Sequence, residues 1–234
     1  MSDLSELEVA RRWPPRHADR IQLYSVPTPN GVKVSIMLEE IGLPYDAHLV
    51  SFADDAQKSA EFLTISPNGK IPAIVDPNGP GGASIALFES GAILLYLAEK
   101  SGQLMPTDPV ERWEAMQWLM FQMGGVGPMI GQLGFFHVFA GKTWEDKRPR
   151  DRYLAEARRL LGVMDKRLEG RMWFVGEAFS IVDISLLGWI RNLIGLYAAG
   201  DLVEFATHHN VADWLERGLA RPAVQRGLNI PPRQ

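Results

Sequence analysis

An α/β domain built on a mixed sheet, followed by an all-α domain, is what this 234-residue sequence predicts. Three observations predict it. Short strand-like runs alternate with helical periodicity from Ile21 to Gly102. Strand signals stop after Pro106 and Pro109, and beyond them apolar residues recur only at spacings of three and four. The expected division is an arm over residues 1–20, an α/β domain over 21–104 and a helical domain over 109–230.

The arm carries the run RRWPPR and no apolar periodicity, so it reads as disordered or as laid across another surface by Trp13. IQLYSV is then a strand. Val34, Met37, Leu38 and Ile41 follow the i, i+3, i+4, i+7 pattern of an amphipathic helix, closed by Gly42 and Pro44. Tyr45, Ala47 and Leu49 alternate as a second strand, and a short helix is expected from Ala60 to Ile65. AIVD and SIALF are strands joined by the turn formers PNGPGGA, and a helix from Glu89 to Lys100 stops at Gly102. This order is that of a thioredoxin-like layer.

In the second domain Trp113, Met116 and Met120 define one helix face, and GGVGP at Gly124 to Pro128 ends or kinks that helix. Leu154, Ala157, Leu161, Met164 and Leu168 predict a long helix. Ser180 and Asp183 form a capping box, with Asp in place of Glu, that opens the apolar helix IVDISLLGWIRNLIGLY. Trp214 and Leu215 lie on a last helix before Arg221 and Pro222. GGVGPMIG invites a phosphate-loop reading, but no strand precedes it and Trp- and Met-rich helices flank it. A kinked helix with close backbone packing accounts for it better.

Composition narrows the chemistry. A net charge of −4 argues against a bulk nucleic-acid or anionic-membrane surface, so any anion site is local. No apolar run is long enough to span a membrane and the N-terminus lacks an apolar leader core, which makes the cytoplasm the default location. The absence of cysteine excludes structural disulfides, thiolate zinc sites and any mechanism that needs a protein thiol. The five histidines show no ligand spacing, and no metal is expected.

Three segments place polar groups where a small anionic peptide could be held. Thr28, Asn30 and Gly31 sit in the turn between the first strand and its helix. Ile71 precedes Pro72, where a cis bond commonly presents backbone groups to a ligand. Glu89 and Ser90 open a long apolar helix, whose outward N–H groups attract a carboxylate. Each has a plainer reading: a helix cap with an Asn-Gly turn, a proline that starts a strand, and an ordinary helix start.

In their order and spacing, YSVPTPNG, ISPNGKIPAI and LFESGAILLYLAEK resemble the glutathione transferase superfamily, specifically its bacterial Nu-class branch. FVGEAFSIVDIS resembles the capping motif of that family's helical domain. The resemblance implies a two-domain architecture, glutathione as co-substrate, a homodimer, and glutathione-dependent disulfide-bond reductase activity on a small disulfide. The alternatives are a conventional transferase that conjugates glutathione to an electrophile, and a non-catalytic binding protein on the same fold.

It also implies residue roles. Thr28 and Asn30 would stabilise the glutathione thiolate. Tyr24 and Ser25 compete for that role, because other transferase classes use a Tyr or Ser hydroxyl near the end of the first strand. Lys70, Ile71 and Pro72 would hold the peptide backbone, with Lys70 on a carboxylate. Glu89 and Ser90 would take the γ-glutamyl end. Gln57 matches a glutathione-contacting Gln, Gln122 would face the sulfur, and Arg152 resembles the arginine such dimers extend across the interface. A solvated loop position for Gln57 and a surface ion pair for Arg152 are the rival readings. The wall around Met123, Met129, Phe135 and Phe136 could be pocket or core.

Overall fold

A computed structural model describes residues 4–232 and divides them into two compact units, one made of the chain up to Gly102 together with the segment from Pro222 onward, the other of Gln103–Arg221. In the first unit α1 (Glu8–Arg12) precedes β1 (Ile21–Ser25), α2 (Gly31–Ile41), β2 (Tyr45–Leu49), α3 (Ala60–Leu63), β3 (Ala73–Asp76), β4 (Ile85–Phe88) and α4 (Ser90–Ser101). The sheet runs β2-β1-β3-β4, with β1 parallel to β2 and the other two pairs antiparallel. This is the mixed, thioredoxin-like sheet the element order predicts.

Gly42 and Gly102 end α2 and α4 in the left-handed conformation, each returning its N–H to a carbonyl in the last turn. Residues 31–38 of α2 are all buried, more than one apolar stripe requires. The C-terminal segment explains this. Ser35 Oγ donates to the Gly227 carbonyl at 2.6 Å, and a Cβ at Gly227 would lie 2.7 Å from the Ile36 nitrogen. The sequence reading carries the helical domain to residue 230; this backbone contact places residues 222–234 with the first unit instead.

The arm is folded, which corrects the disordered alternative for its described part; residues 1–3 lie outside the described residues. Leu4, Val9 and Trp13 share a core with Tyr24, Val50, Ala56 and Phe62. Trp13 Nε1 donates to the Leu49 carbonyl at 3.0 Å, and its ring meets Tyr24 and Phe62 edge-on at 6.0 and 6.1 Å. Asp46 accepts from the Arg16 and His17 backbone N–H groups at 2.9 and 2.7 Å and pairs with the His17 ring at 2.8 Å. Two polar anchors and one aromatic thus hold a segment that periodicity alone could not place.

The second unit contains α5 (Pro109–Phe121), α6 (Gly127–His137), α7 (Arg148–Leu168), α8 (Ile181–Ile194) and α9 (His209–Leu219); α10 (Pro222–Gly227) belongs to the first. The Trp113, Met116, Met120 face of α5 turns outward: Trp113 is 74% and Met120 50% exposed, while Ala115 and Leu119 are buried. Both sets share the three-and-four spacing, and the small alanine concealed the true inner face. GGVGP does not end the helix but winds one π-turn at Gln122–Val126. The glycines that follow admit close neighbours, since a Cβ would fall 3.3 Å from the Trp189 ring at Gly131 and 2.2 Å from Tyr197 at Gly134. The Ser180–Asp183 capping box forms, and buried Asp183 also accepts from Trp214 Nε1 at 2.9 Å and the Phe174 N–H at 3.1 Å.

Candidate functional site

The sheet register brings the three polar segments to one end. Tyr24 pairs with Ala73 and Ala73 with Phe88, so the chain after β1, before β3 and after β4 leaves the sheet side by side. Ser25 pairs with Leu49, which adds the segment after β2. Thr28, Ile71–Pro72, Glu89–Ser90 and Gln57 are therefore neighbours of the same strand ends, although 61 positions separate Thr28 from Glu89.

At the first of these ends the Gly31 N–H donates to Thr28 Oγ1 at 3.2 Å and the Val32 N–H to the Thr28 carbonyl at 3.0 Å. The cap reading of Thr28 is thus correct as far as it goes. It leaves the hydroxyl proton to donate elsewhere, because a hydroxyl accepts and donates at once. Gly31 is there for space: a Cβ would lie 1.9 Å from the Val26 oxygen. Thr28 and Asn30 are partly exposed, whereas Tyr24 and Ser25 are 2% and 0% exposed. Burial, with Asp46 adding to it, raises the Tyr24 phenol far above its ordinary pKa, and its ring stacks on His48 at 4.8 Å. Ser25 Oγ donates inward to the Val26 carbonyl. Neither hydroxyl reaches the surface that Thr28 and Asn30 reach.

Thr28, Asn30, Gln57, Lys70 and Ile71 line one cavity of about 350 Å³, with Phe52 and Gly69 completing it. The Ile71–Pro72 bond is cis. Pro72 is buried behind that wall, Lys70 is exposed, and the Ser66 hydroxyl ties the Lys70 carbonyl at 2.8 Å. Gln57 donates from Nε2 to Asp55 at 3.1 Å, while its Oε1 is buried with no hydrogen-bond partner among the described residues. A buried acceptor left this way loses hydration without recompense, and it marks where a donor belongs.

Glu89 caps α4 with φ 68 and ψ 110, a conformation a side chain adopts only where its surroundings hold it there. Ser90, the first residue of α4, is buried, and its hydroxyl accepts from the ammonium of Lys33 at 3.1 Å. Lys33 is fully buried, and burial pushes its pKa down to about 7, opposed by the charge of Glu89.

Gln122 and Arg152 lie in the second unit. Gln122 is 1% exposed inside the π-turn, with a Cβ at Gly127 only 2.7 Å from its Nε2. Arg152 is exposed on α7 and pairs loosely with Glu156 at 3.7 Å, the arrangement its rival reading expects. Three residues escaped the sequence reading. Phe52 and Gly69 sit in loops where no periodicity marks a wall. Lys33 carried a signal, since it lies three and four positions before Ile36 and Met37 on the apolar face of α2. Among the described residues no cluster of His, Asp and Glu could hold a metal ion.

Comparison with known proteins agrees with this reading of the fold. Residues 28–100 match the model of the glutathione S-transferase N-terminal domain and residues 128–222 that of its C-terminal domain. The chain belongs to the glutathione S-transferase family. Within it, the chain is 43% identical over 209 residues to the disulfide-bond oxidoreductase YfcG of Escherichia coli, covering 89% of this chain and 94% of that protein. It is 40% identical to YghU, a disulfide-bond oxidoreductase of the same organism, over 88% of this chain and 73% of that one. A solved glutathione transferase from Pseudomonas putida, with one glutathione disulfide bound per subunit, superposes with a TM-score of 0.97 at 62% identity, covering 98% and 100% of the two chains. One from Burkholderia graminis, with two glutathione molecules per subunit, gives a TM-score of 0.98 at 61% identity over 100% and 98%.

Proposed function

We propose that this protein binds glutathione in its first unit and catalyses glutathione-dependent thiol–disulfide exchange. The observation that carries the reading is the single cavity in which Thr28 and Asn30 stand opposite the Lys70–Ile71 edge and the unpartnered Gln57 oxygen. A tripeptide supplies what each group lacks: an amide N–H for Gln57, an extended backbone for Ile71, a carboxylate for Lys70, and a thiol beside Thr28. Glu89 pairs with the γ-glutamyl ammonium, and Ser90 with its carboxylate.

The chemistry asks for a thiolate at neutral pH. Lowering a thiol pKa by about two units takes about 2.7 kcal/mol of preference for the anion. The N-terminus of α2 contributes up to about 1–2 kcal/mol, and a hydroxyl or amide hydrogen bond to the charged sulfur about 1.5–3 kcal/mol. The thiolate attacks one sulfur of the substrate disulfide, the S–S bond breaks, and the leaving thiolate takes a proton from solvent. A second glutathione repeats the step on the mixed disulfide, releasing glutathione disulfide and the second thiol. The chain has no cysteine, so every reacting sulfur belongs to a substrate. The protein contributes orientation and thiolate stabilisation.

The reading includes a cytoplasmic homodimer, in which Arg152 extends to the glutathione held by the other subunit and Gln122 serves the sulfur side. Conjugation of glutathione to an electrophile uses the same thiolate and is the second reading, supported by the family as a whole. Equilibrium binding of glutathione, compared between the unaltered protein and Gln57→Ala, tests the site. We expect a loss of affinity of about tenfold, the worth of one hydrogen bond to a buried acceptor. No binding of glutathione to the unaltered protein would overturn the reading.

A further inference from the structure

Lys33 is the least expected residue of the first unit. Its side chain is fully buried between Val32 and Val34, both buried as well. An ammonium taken out of water costs several kcal/mol, and a hydrophobic residue of similar length often serves a core at least as well. Its geometry points to a task. The ammonium donates to Ser90 Oγ at 3.1 Å, across the interface between α2 and α4. An ammonium has three donors and no acceptor, so in this contact the serine oxygen can only accept. The Ser90 proton is thereby turned away from Lys33 and is available to a ligand at the start of α4.

We infer that Lys33 is a positioning residue for the anion site at the start of α4, orienting the Ser90 hydroxyl and placing a buried positive charge behind the α-carboxylate of a γ-glutamyl peptide. The inference rests on the glutathione reading above. Three sources of positive potential then converge on one carboxylate: the N-terminus of α4, the Ser90 hydroxyl and, one atom further back, the Lys33 ammonium. The screening that weakens surface charges is small at a fully buried group. Burial lowers the Lys33 pKa to about 7, so a carboxylate brought close restores the charged form. The charged groups around it are few. β1 contributes none, the cap of α4 contributes Glu89, and α10 contributes Arg226, which is held by Glu39 at 2.5 Å.

The test pairs two ligands with two proteins. S-methylglutathione retains the carboxylate, and its analogue with 4-aminobutyrate in place of the γ-glutamyl residue lacks it; methylation removes thiol titration from both. In Lys33→Met we expect an unchanged or higher melting temperature, at least tenfold weaker binding of S-methylglutathione, and binding of the analogue within threefold of the unaltered protein. Equal weakening of both ligands, or of neither, overturns the role of Lys33. A second measurement needs no variant. At pH 8, calorimetry in two buffers of different ionisation enthalpy should show uptake of much of one proton with S-methylglutathione and almost none with the analogue. Equal uptake with both overturns the role again. Failure of the unaltered protein to bind S-methylglutathione at all would instead overturn the glutathione reading, and this inference with it.

Discussion

The backbone N–H of Gly31 donates to the side-chain oxygen of Thr28 at 3.2 Å, so one residue both closes the start of α2 and keeps a hydroxyl proton at the mouth of the cavity. A valine in place of Thr28 retains the shape and loses both functions. Thr28→Val and Asn30→Ala should each lower kcat/KM for glutathione about 10- to 100-fold, the worth of a hydrogen bond to a charged group. They should also move the thiol limb of the pH–rate profile upward by about one unit. Tyr24→Phe should leave both within twofold, because its phenol is buried and faces no ligand. Loss confined to Tyr24→Phe would place the sulfur at the wrong end of β1.

Gly31 admits no side chain. With a Cβ 1.9 Å from the Val26 oxygen and 2.6 Å from Ser25 Oγ, the turn between β1 and α2 has to open. Gly31→Ala should cost about 3 kcal/mol or more and abolish activity, since overpacking against backbone cannot be relieved by a rotamer change. Chemical denaturation checks this; a loss under 1 kcal/mol would mean the turn is softer than its geometry.

Asp183 is the polar centre of the second unit. It accepts from the Ser180 N–H and hydroxyl at 2.9 and 3.0 Å, from Trp214 Nε1 and from the Phe174 N–H, all inside the core. Asp183→Ala strands several buried donors at once and should destabilise by about 3–5 kcal/mol. Trp214→Phe removes one donor together with part of a ring, and about 1–2 kcal/mol is expected for the lost hydrogen bond. Thermal or urea unfolding of the two variants separates them, and equal losses would show that Asp183 does not organise this network.

Much of this was legible in the sequence where spacing or a special residue carried it. The mixed sheet follows from short apolar runs and Pro/Gly turns, the start of α8 from Ser180 and Asp183, and the polar segments from Thr28, Ile71–Pro72 and Glu89–Ser90. What could not be read depends on contacts distant in the chain. The arm is fixed by Asp46 and Leu49, some thirty residues on, and α10 by the Ser35–Gly227 bond. The inner face of α5 was masked because Ala115 is small and Trp113 large, and size outweighs position when periodicity is judged by eye. Lys33 passes in the sequence for a solvated charge, and only the packing of α2 against α4 reveals it as buried.

The His48 imidazole gives the fold a pH dependence. It lies beside Gln22 Oε1 at 2.8 Å, and burial pushes its pKa down from 6.5 to about 4, partly offset by the charge of Asp46. Between those values the unfolded chain binds a proton that the folded one refuses, so stability falls as pH drops from 6.5 to about 4 and is level above. The gap corresponds to a loss on the order of 2–3 kcal/mol. Below that window protonation of Asp46 adds to it: burial raises its pKa, but hydrogen bonds from His17 and Arg16 outweigh that and hold it below 3.8. Urea unfolding from pH 7.5 to 4 should show this decline in the unaltered protein and a flatter profile in His48→Gln. Identical slopes would assign the acid sensitivity elsewhere.

Reduction of 2-hydroxyethyl disulfide tests the central claim most directly, measured with glutathione, with cysteinylglycine, which lacks the γ-glutamyl group, and beside conjugation of a chlorinated nitroaromatic. A site built from Thr28, Asn30, Lys70, Glu89 and Ser90 on a chain without cysteine predicts turnover with glutathione, at least tenfold less with cysteinylglycine, and no mixed disulfide on the protein by mass spectrometry. Equal rates with the two thiols would contradict use of the Glu89–Ser90 end. Conjugation of the aromatic without any disulfide reduction would contradict the exchange reaction and make the protein a conjugating transferase.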